Sequence, residues 1–168
     1  MRTHSGLLGA LAAVTVLAAA APVRAADPAD QTTLTFSTPM EVPGTTLQPG
    51  AYVFEVSAGT AGRETVKIYS SDHSKLITTA EAVPMKRDGP ADVVQYRPTI
   101  LGSAPTALKG WFRANATTGH QLVYPAKEAA EIAHRTDERV VASGDGTGAA
   151  QLAVIDTYGS KTPWQPAG

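Results

Sequence analysis

The chain has 168 residues, a formal net charge of −1 and 17% charged residues, below the roughly 25% of an average soluble domain. It contains no cysteine, which excludes disulfide scaffolds, cysteine–zinc sites, thiol nucleophiles and a lipid anchor on an N-terminal cysteine. Its single basic pair, Lys86-Arg87, is followed at once by Asp88, and so sparse a positive charge argues against a nucleic-acid partner, which needs clustered Lys and Arg to replace counterions.

The first 25 residues read as a secretory leader. Arg2 and His4 make a short polar start, Leu7 to Ala21 is an unbroken run of Leu, Ala, Val and Gly with one Thr, and Pro22 breaks any helix. Val23-Arg24-Ala25 places small residues where a signal peptidase reads them, so cleavage is expected before Ala26. The apolar run is too short for a stable membrane span. Export to the periplasm or the outside of a bacterial cell is the expected address. Loss of Arg2 and Arg24 with the leader makes the mature domain more acidic by two charges. About 143 residues remain, the size of one ordinary domain. No later segment is apolar for long enough to cross a bilayer.

After a polar lead-in (26–31), short stretches of period-two alternation recur between turn residues. Leu34 and Phe36 share a face in Thr33–Ser37; Tyr52, Phe54 and Val56 share one in Ala51–Ser57. Val66–Tyr69 and Lys75–Val83 flank the turn-like Ser71-Asp72-His73-Ser74 and read as a hairpin. Val93–Arg97, Leu108–Arg113 and His120–Tyr124 follow, then weaker runs at Arg139–Ala142 and Leu152–Tyr158. Eight or nine such strands predict a mainly all-β domain over 32–158, an antiparallel β-sandwich or open barrel. One helix is expected near residues 125–135. Pro125 suits a first helical position, Ala126, Ala129, Ala130 and Ala133 recur at helical spacing beside Ile132, and Glu131 precedes Arg135 at i, i+4. Gly144–Gly148 reads as a loop, and 159–168, with Pro163 and Pro166, as a flexible tail.

Two blocks carry a family resemblance. The first is the strand entry Val42-Pro43-Gly44-Thr45-Thr46-Leu47-Gln48-Pro49-Gly50-Ala51-Tyr52-Val53-Phe54. The second is Trp111-Phe112 followed by Gly119-His120-Gln121-Leu122-Val123-Tyr124-Pro125-Ala126-Lys127. With Lys67-Ile68-Tyr69 and Lys75-Leu76-Ile77 between them, they resemble a group of small exported bacterial β-rich proteins of unknown function. The likeness spans residues 34–134. It implies an exported β-rich domain and carries over no catalytic residue.

No constellation of residues announces a catalyst. His73, His120 and His134 are not spaced as metal ligands, so neither a metal nor a cofactor is expected. Gly102-Ser103-Ala104 lacks the shaped turn of a serine nucleophile, and Gly144–Gly148 lacks the acids of a calcium loop and the lysine of a phosphate loop. The expected function is therefore a non-enzymatic envelope module that binds a small ligand or a protein. Its candidate surface is Trp111, Phe112, His120 and Tyr124, with Tyr96 as a further aromatic neighbour, because aromatic patches on β-sandwiches bind sugars and peptides. Two alternatives stand beside it. One is a hydrolase whose site is built from histidines or from Glu41, Glu55, Glu64, Glu81, Asp88 and Asp92. The other is a structural assembly subunit using an unpaired edge strand, with Thr33–Ser37 as the candidate.

Overall fold

The computed structural model describes residues 31–89, 93–144 and 151–166. The expected leader and most of the Gly144–Gly148 loop lie outside these residues. The strands are β1 (Gln31–Phe36), β2 (Met40–Val42), β3 (Thr45–Leu47), β4 (Gly50–Ala58), β5 (Glu64–Ser70), β6 (Leu76–Lys86), β7 (Val94–Arg97), β8 (Thr106–Phe112) and β9 (Thr118–Pro125). Helix α1 (Ala126–Thr136) follows, then β10 (Val140–Ser143), β11 (Ala153–Ile155) and β12 (Lys161–Pro163). The fold is mainly β with one short helix, as the alternation predicts.

Alternation builds the frame. Leu34, Phe36, Phe54, Val56, Val66, Ile68, Ala80 and Ala82 occupy every second position of β1, β4, β5 and β6, and all are buried in one core. Their pairing is antiparallel along the path β1-β4-β5-β6-β9. β9 then pairs antiparallel with β8, and β8 with β7. These seven strands form a curled sheet that does not close into a barrel. Two pairings depart from the antiparallel expectation: β2 runs parallel to β8, and β10 parallel to β9. Both fill a place where β8 and β9 diverge. The two strands pair only over Gly110–Phe112 and Gly119–Gln121. Beyond that point β8 takes β2 at Met40 and Glu41, and β9 takes β10 at Tyr124 and Pro125. The parallel pair β9–β10 needs a long crossover, and α1 supplies it.

Close approach fixes the short β8–β9 contact. A Cβ at Gly110 would collide with the His120 carbonyl oxygen, and one at Gly119 with the Trp111 carbonyl oxygen and the Phe112 ring. Trp111, fully buried, meets Phe54 edge-on at 5.0 Å between ring centroids.

Two strand pairings escape the alternation signal. β2 and β3 are three residues each, joined at Pro43-Gly44, with Val42 opposite Thr45 and Gly44 at φ +79°. Proline then glycine at positive φ is the chemistry of a type II turn. The expected flexible tail is a correction: Lys161–Pro163 forms β12 on β11. Its turn is built by the Asp156 carboxylate, which accepts from the backbone N–H groups of Tyr158 and Ser160 at 3.0 and 2.9 Å. Trp164 then packs on a second small cluster of Val83, Val123, Val141 and Leu152, on the other face of the sheet.

α1 buries Ala129, Ile132, Ala133 and Thr136, and Asp137 ends it in the left-handed conformation. Arg135, expected to pair with Glu131, instead makes an ion pair with Glu41 of β2. Glu128 accepts the Gly44 N–H at 3.1 Å. The helix is thereby tied at both ends to the β2–β3 hairpin.

Candidate functional site: a cleft between two free sheet edges

Among the described residues β1 pairs only with β4, and β7 only with β8, so each has an edge that no described strand covers. The two edges border one cleft of about 800 Å³. Thr35 and Phe36 of β1, with Ser37 and Thr38 after it, form one side, and Val94, Gln95 and Tyr96 of β7 the other. Met40, Thr106 and Lys109 complete it. Phe36 and Met40 are buried, Val94 is half-buried against the core, and Tyr96 is 43% exposed.

The β7–β8 pairing fixes which backbone groups of β7 are left unpaired. The Phe112 N–H donates to the Val93 carbonyl at 2.7 Å, so the Val93 carbonyl faces β8. In an antiparallel ladder the next residue turns its backbone groups the other way. Val94, which lines the cleft, therefore turns its N–H and C=O away from β8. A bulge follows between Gln95 and Tyr96. β1 carries no proline and no charge (Gln-Thr-Thr-Leu-Thr-Phe), the devices that usually blunt an edge.

Behind the cleft wall lies a buried charge. Arg97 is fully buried, its Nη2 donates to the Arg139 carbonyl at 3.5 Å, and its Nε lies 3.7 Å from Glu138. Among the described residues, Nε and Nη1 find no hydrogen-bond partner. Burial pulls Arg97 below its usual pKa, against the opposing pull of Tyr124 and Glu138. Glu138 also lies 3.9 Å from the Lys109 ammonium, so one carboxylate faces both cations.

A second cleft, of about 480 Å³, lies elsewhere on the sheet, lined by Val56, Arg63, Glu64, Pro84 and His120 among others. His120 Nδ1 is 2.7 Å from the Glu64 carboxylate, and the His120 ring sits 5.1 Å from Trp111. Arg63 holds Glu81 at 3.1 Å beside it. Ser57 also lines this cleft, and its hydroxyl donates to the Thr65 carbonyl at 3.4 Å.

The four residues expected as a binding surface are placed differently. Trp111, Phe112 and Tyr124 are fully buried, so this aromatic group is core, and only His120 reaches a cleft. Strand parity puts Trp111 and Tyr124 inward, while Arg87 covers Phe112 at 4.5 Å from its ring centroid. The Tyr124 hydroxyl lies 2.7 Å from the Leu108 carbonyl and 3.0 Å from that of Glu41; it bridges β8 and β2 where they flank β9. Burial pushes its pKa far up.

The candidate acids are dispersed onto separate partners. Glu41 holds Arg135, Glu55 faces His73 at 3.4 Å, Glu64 holds His120 and Glu81 holds Arg63. Asp92 lies outside the described residues. Among the described residues, no three His, Asp or Glu side chains group to hold a metal ion.

Sequence reasoning missed the cleft because two of its walls, β1 and β7, are 60 residues apart and only the sheet order makes them neighbours. The edge-strand reading of Thr33–Ser37 was the one signal for it. No known protein family, curated protein or solved structure matches this chain.

Proposed function

We propose that the chain is an exported, non-enzymatic module of the bacterial cell envelope that binds a protein partner through the β1/β7 cleft. The carrying observation is that two sheet edges border one open cleft whose floor is the domain's own core. Export rests on the leader pattern, and the likeness to small exported β-rich proteins agrees with it. A photo-crosslinking residue at Tyr96 tests the reading inside the native host, with the same residue at Tyr158, 93% exposed, as control. A discrete adduct from position 96 that position 158 does not give supports it. Equal labelling from both positions, or none, overturns it. The same material tests export: the mature mass should begin at Ala26, and a full-length cytoplasmic chain would contradict the address.

A hydrolase is the second reading, favoured by the Glu64–His120 contact, since a carboxylate that orients a histidine is half of a general-base arrangement. Screening ester, peptide and glycoside substrates against the protein and His120→Ala decides it. A turnover that vanishes in the variant would favour hydrolysis; no turnover in either, or equal turnover in both, would remove it.

A further inference from the structure

The seven curled strands pose a parity problem. Along β1-β4-β5-β6-β9-β8-β7 every neighbouring pair is antiparallel. The first and last strands therefore run in the same direction. They cannot close on each other as a continuation of the antiparallel ladder. One more strand between them, antiparallel to both, would make the alternation complete.

We propose that the cleft accepts one extended segment of another polypeptide, which runs antiparallel to both β1 and β7 and completes an eight-stranded barrel. This deepens the binding reading above and rests on it. A strand so placed uses its backbone groups on both sides: one parity pairs with β1 and the other with Val94 and its neighbours on β7. Its inward side chains would meet Phe36, Met40 and Val94, so alternate apolar residues are expected. An acidic residue is expected where the segment passes Lys109, the charged group that lines the cleft. The occupant to which we commit is a strand supplied by a second protein: both edges are unpaired among the described residues, and the expected cleavage after Ala25 would leave only residues 26–30 before β1 begins at Gln31. β7 is only four residues long, and a short edge restrains open-ended pairing between copies.

The probe is a random heptapeptide phage library panned against the mature chain beginning at Ala26. Enriched peptides should show alternate apolar residues and lose binding to Thr33→Lys and to Val94→Pro. Thr33 is exposed on β1, and a proline is tolerated where an edge N–H faces outward, so unchanged circular dichroism and melting would show both variants folded. The deciding step is backbone N-methylation of the best peptide at alternate residues. Insertion between two edges predicts a loss of roughly tenfold or more from methylation at either parity, since every N–H is engaged. Sensitivity at one parity alone means addition to a single edge and overturns the barrel completion. Insensitivity at both means a groove read by side chains, which overturns strand insertion and leaves the cleft reading standing. Failure to enrich any peptide overturns the proposal. A concentration-dependent dimer that competes with the peptide would show a second copy as occupant and overturn the commitment to a different partner. Loss of the Tyr96 crosslink is a separate failure, that of the binding reading itself.

Discussion

The curled sheet has two seams, and the chain treats them oppositely. Where β8 and β9 diverge, the protein fills the opening with itself: β2 docks on β8, β10 on β9, α1 spans the crossover, and the Tyr124 hydroxyl reaches two carbonyl oxygens in the middle. Where β1 and β7 end the curled strands, nothing of the described chain intervenes, and Val94 turns its backbone away from β8 beside an open cleft. A buried backbone group without a partner is costly, whereas one left to solvent is not. The first seam therefore had to be closed to build a core. The second could stay open because its walls, Thr35, Ser37, Thr38 and Tyr96, are exposed. An opening kept wet at the edge of a core is where an external strand finds both apolar contacts and hydrogen bonds.

Breaking the closed side should cost most. Trp111→Ala removes the ring that backs β8 against Phe54 and His120, and urea unfolding should report a loss of about 3–5 kcal/mol. A loss below about 1 kcal/mol would show that this side is loosely packed. Tyr124→Phe keeps the ring and removes only the hydroxyl at the seam. The buried Leu108 carbonyl and the half-buried Glu41 carbonyl lose their shared donor, so unfolding should be easier by about 1–3 kcal/mol. A neutral result would mean that the seam is held by its strands alone.

How much of this was legible before folding differs between the seams. The eight strands longer than three residues fall on the runs read from the sequence, and Leu34/Phe36, Phe54/Val56 and Val66/Ile68 each mark an inward face. The helix follows from Ala129, Ile132 and Ala133 at helical spacing. The closed seam was not legible: β2 and β3 are too short to show a period, and Arg135 chose Glu41, 94 residues away, over its local partner. The aromatic residues were visible but their role was not, because a ring on a strand face reads the same whether that face is covered or open. Trp111 and Tyr124 went inward; Tyr96, on the edge strand β7, stayed out.

The ion pair that ties α1 to β2 sharpens the comparison with pH. Burial raises the Glu41 pKa above its ordinary value, and outweighs the opposing pull of Arg135. A carboxyl with a raised pKa in the folded state contributes stability that is fully present below its unfolded value, near 4.5, and is lost as pH rises through the folded value. The stability difference between the wild type and Glu41→Gln should therefore shrink or reverse from pH 4 to pH 7, as read by urea titrations at each pH. A difference that grows with pH would mean that the Arg135 contact outweighs burial.

The open side should be the most tolerant. Thr33→Lys, on the exposed face of β1, should change stability by no more than about 0.5 kcal/mol while it abolishes peptide capture. A large destabilisation would show that β1 is already covered in the free protein.

The most direct test of the two-seam account is the hydrogen-exchange rate of the Val94 amide, measured by NMR with and without an enriched heptapeptide. The account predicts rapid exchange in the free protein, beside strong protection of the amides in central strand β5, and a marked slowing at Val94 once the peptide is bound. A Val94 amide already protected as strongly as β5 in the free chain would contradict it, because the gap between β1 and β7 would then be closed without a partner.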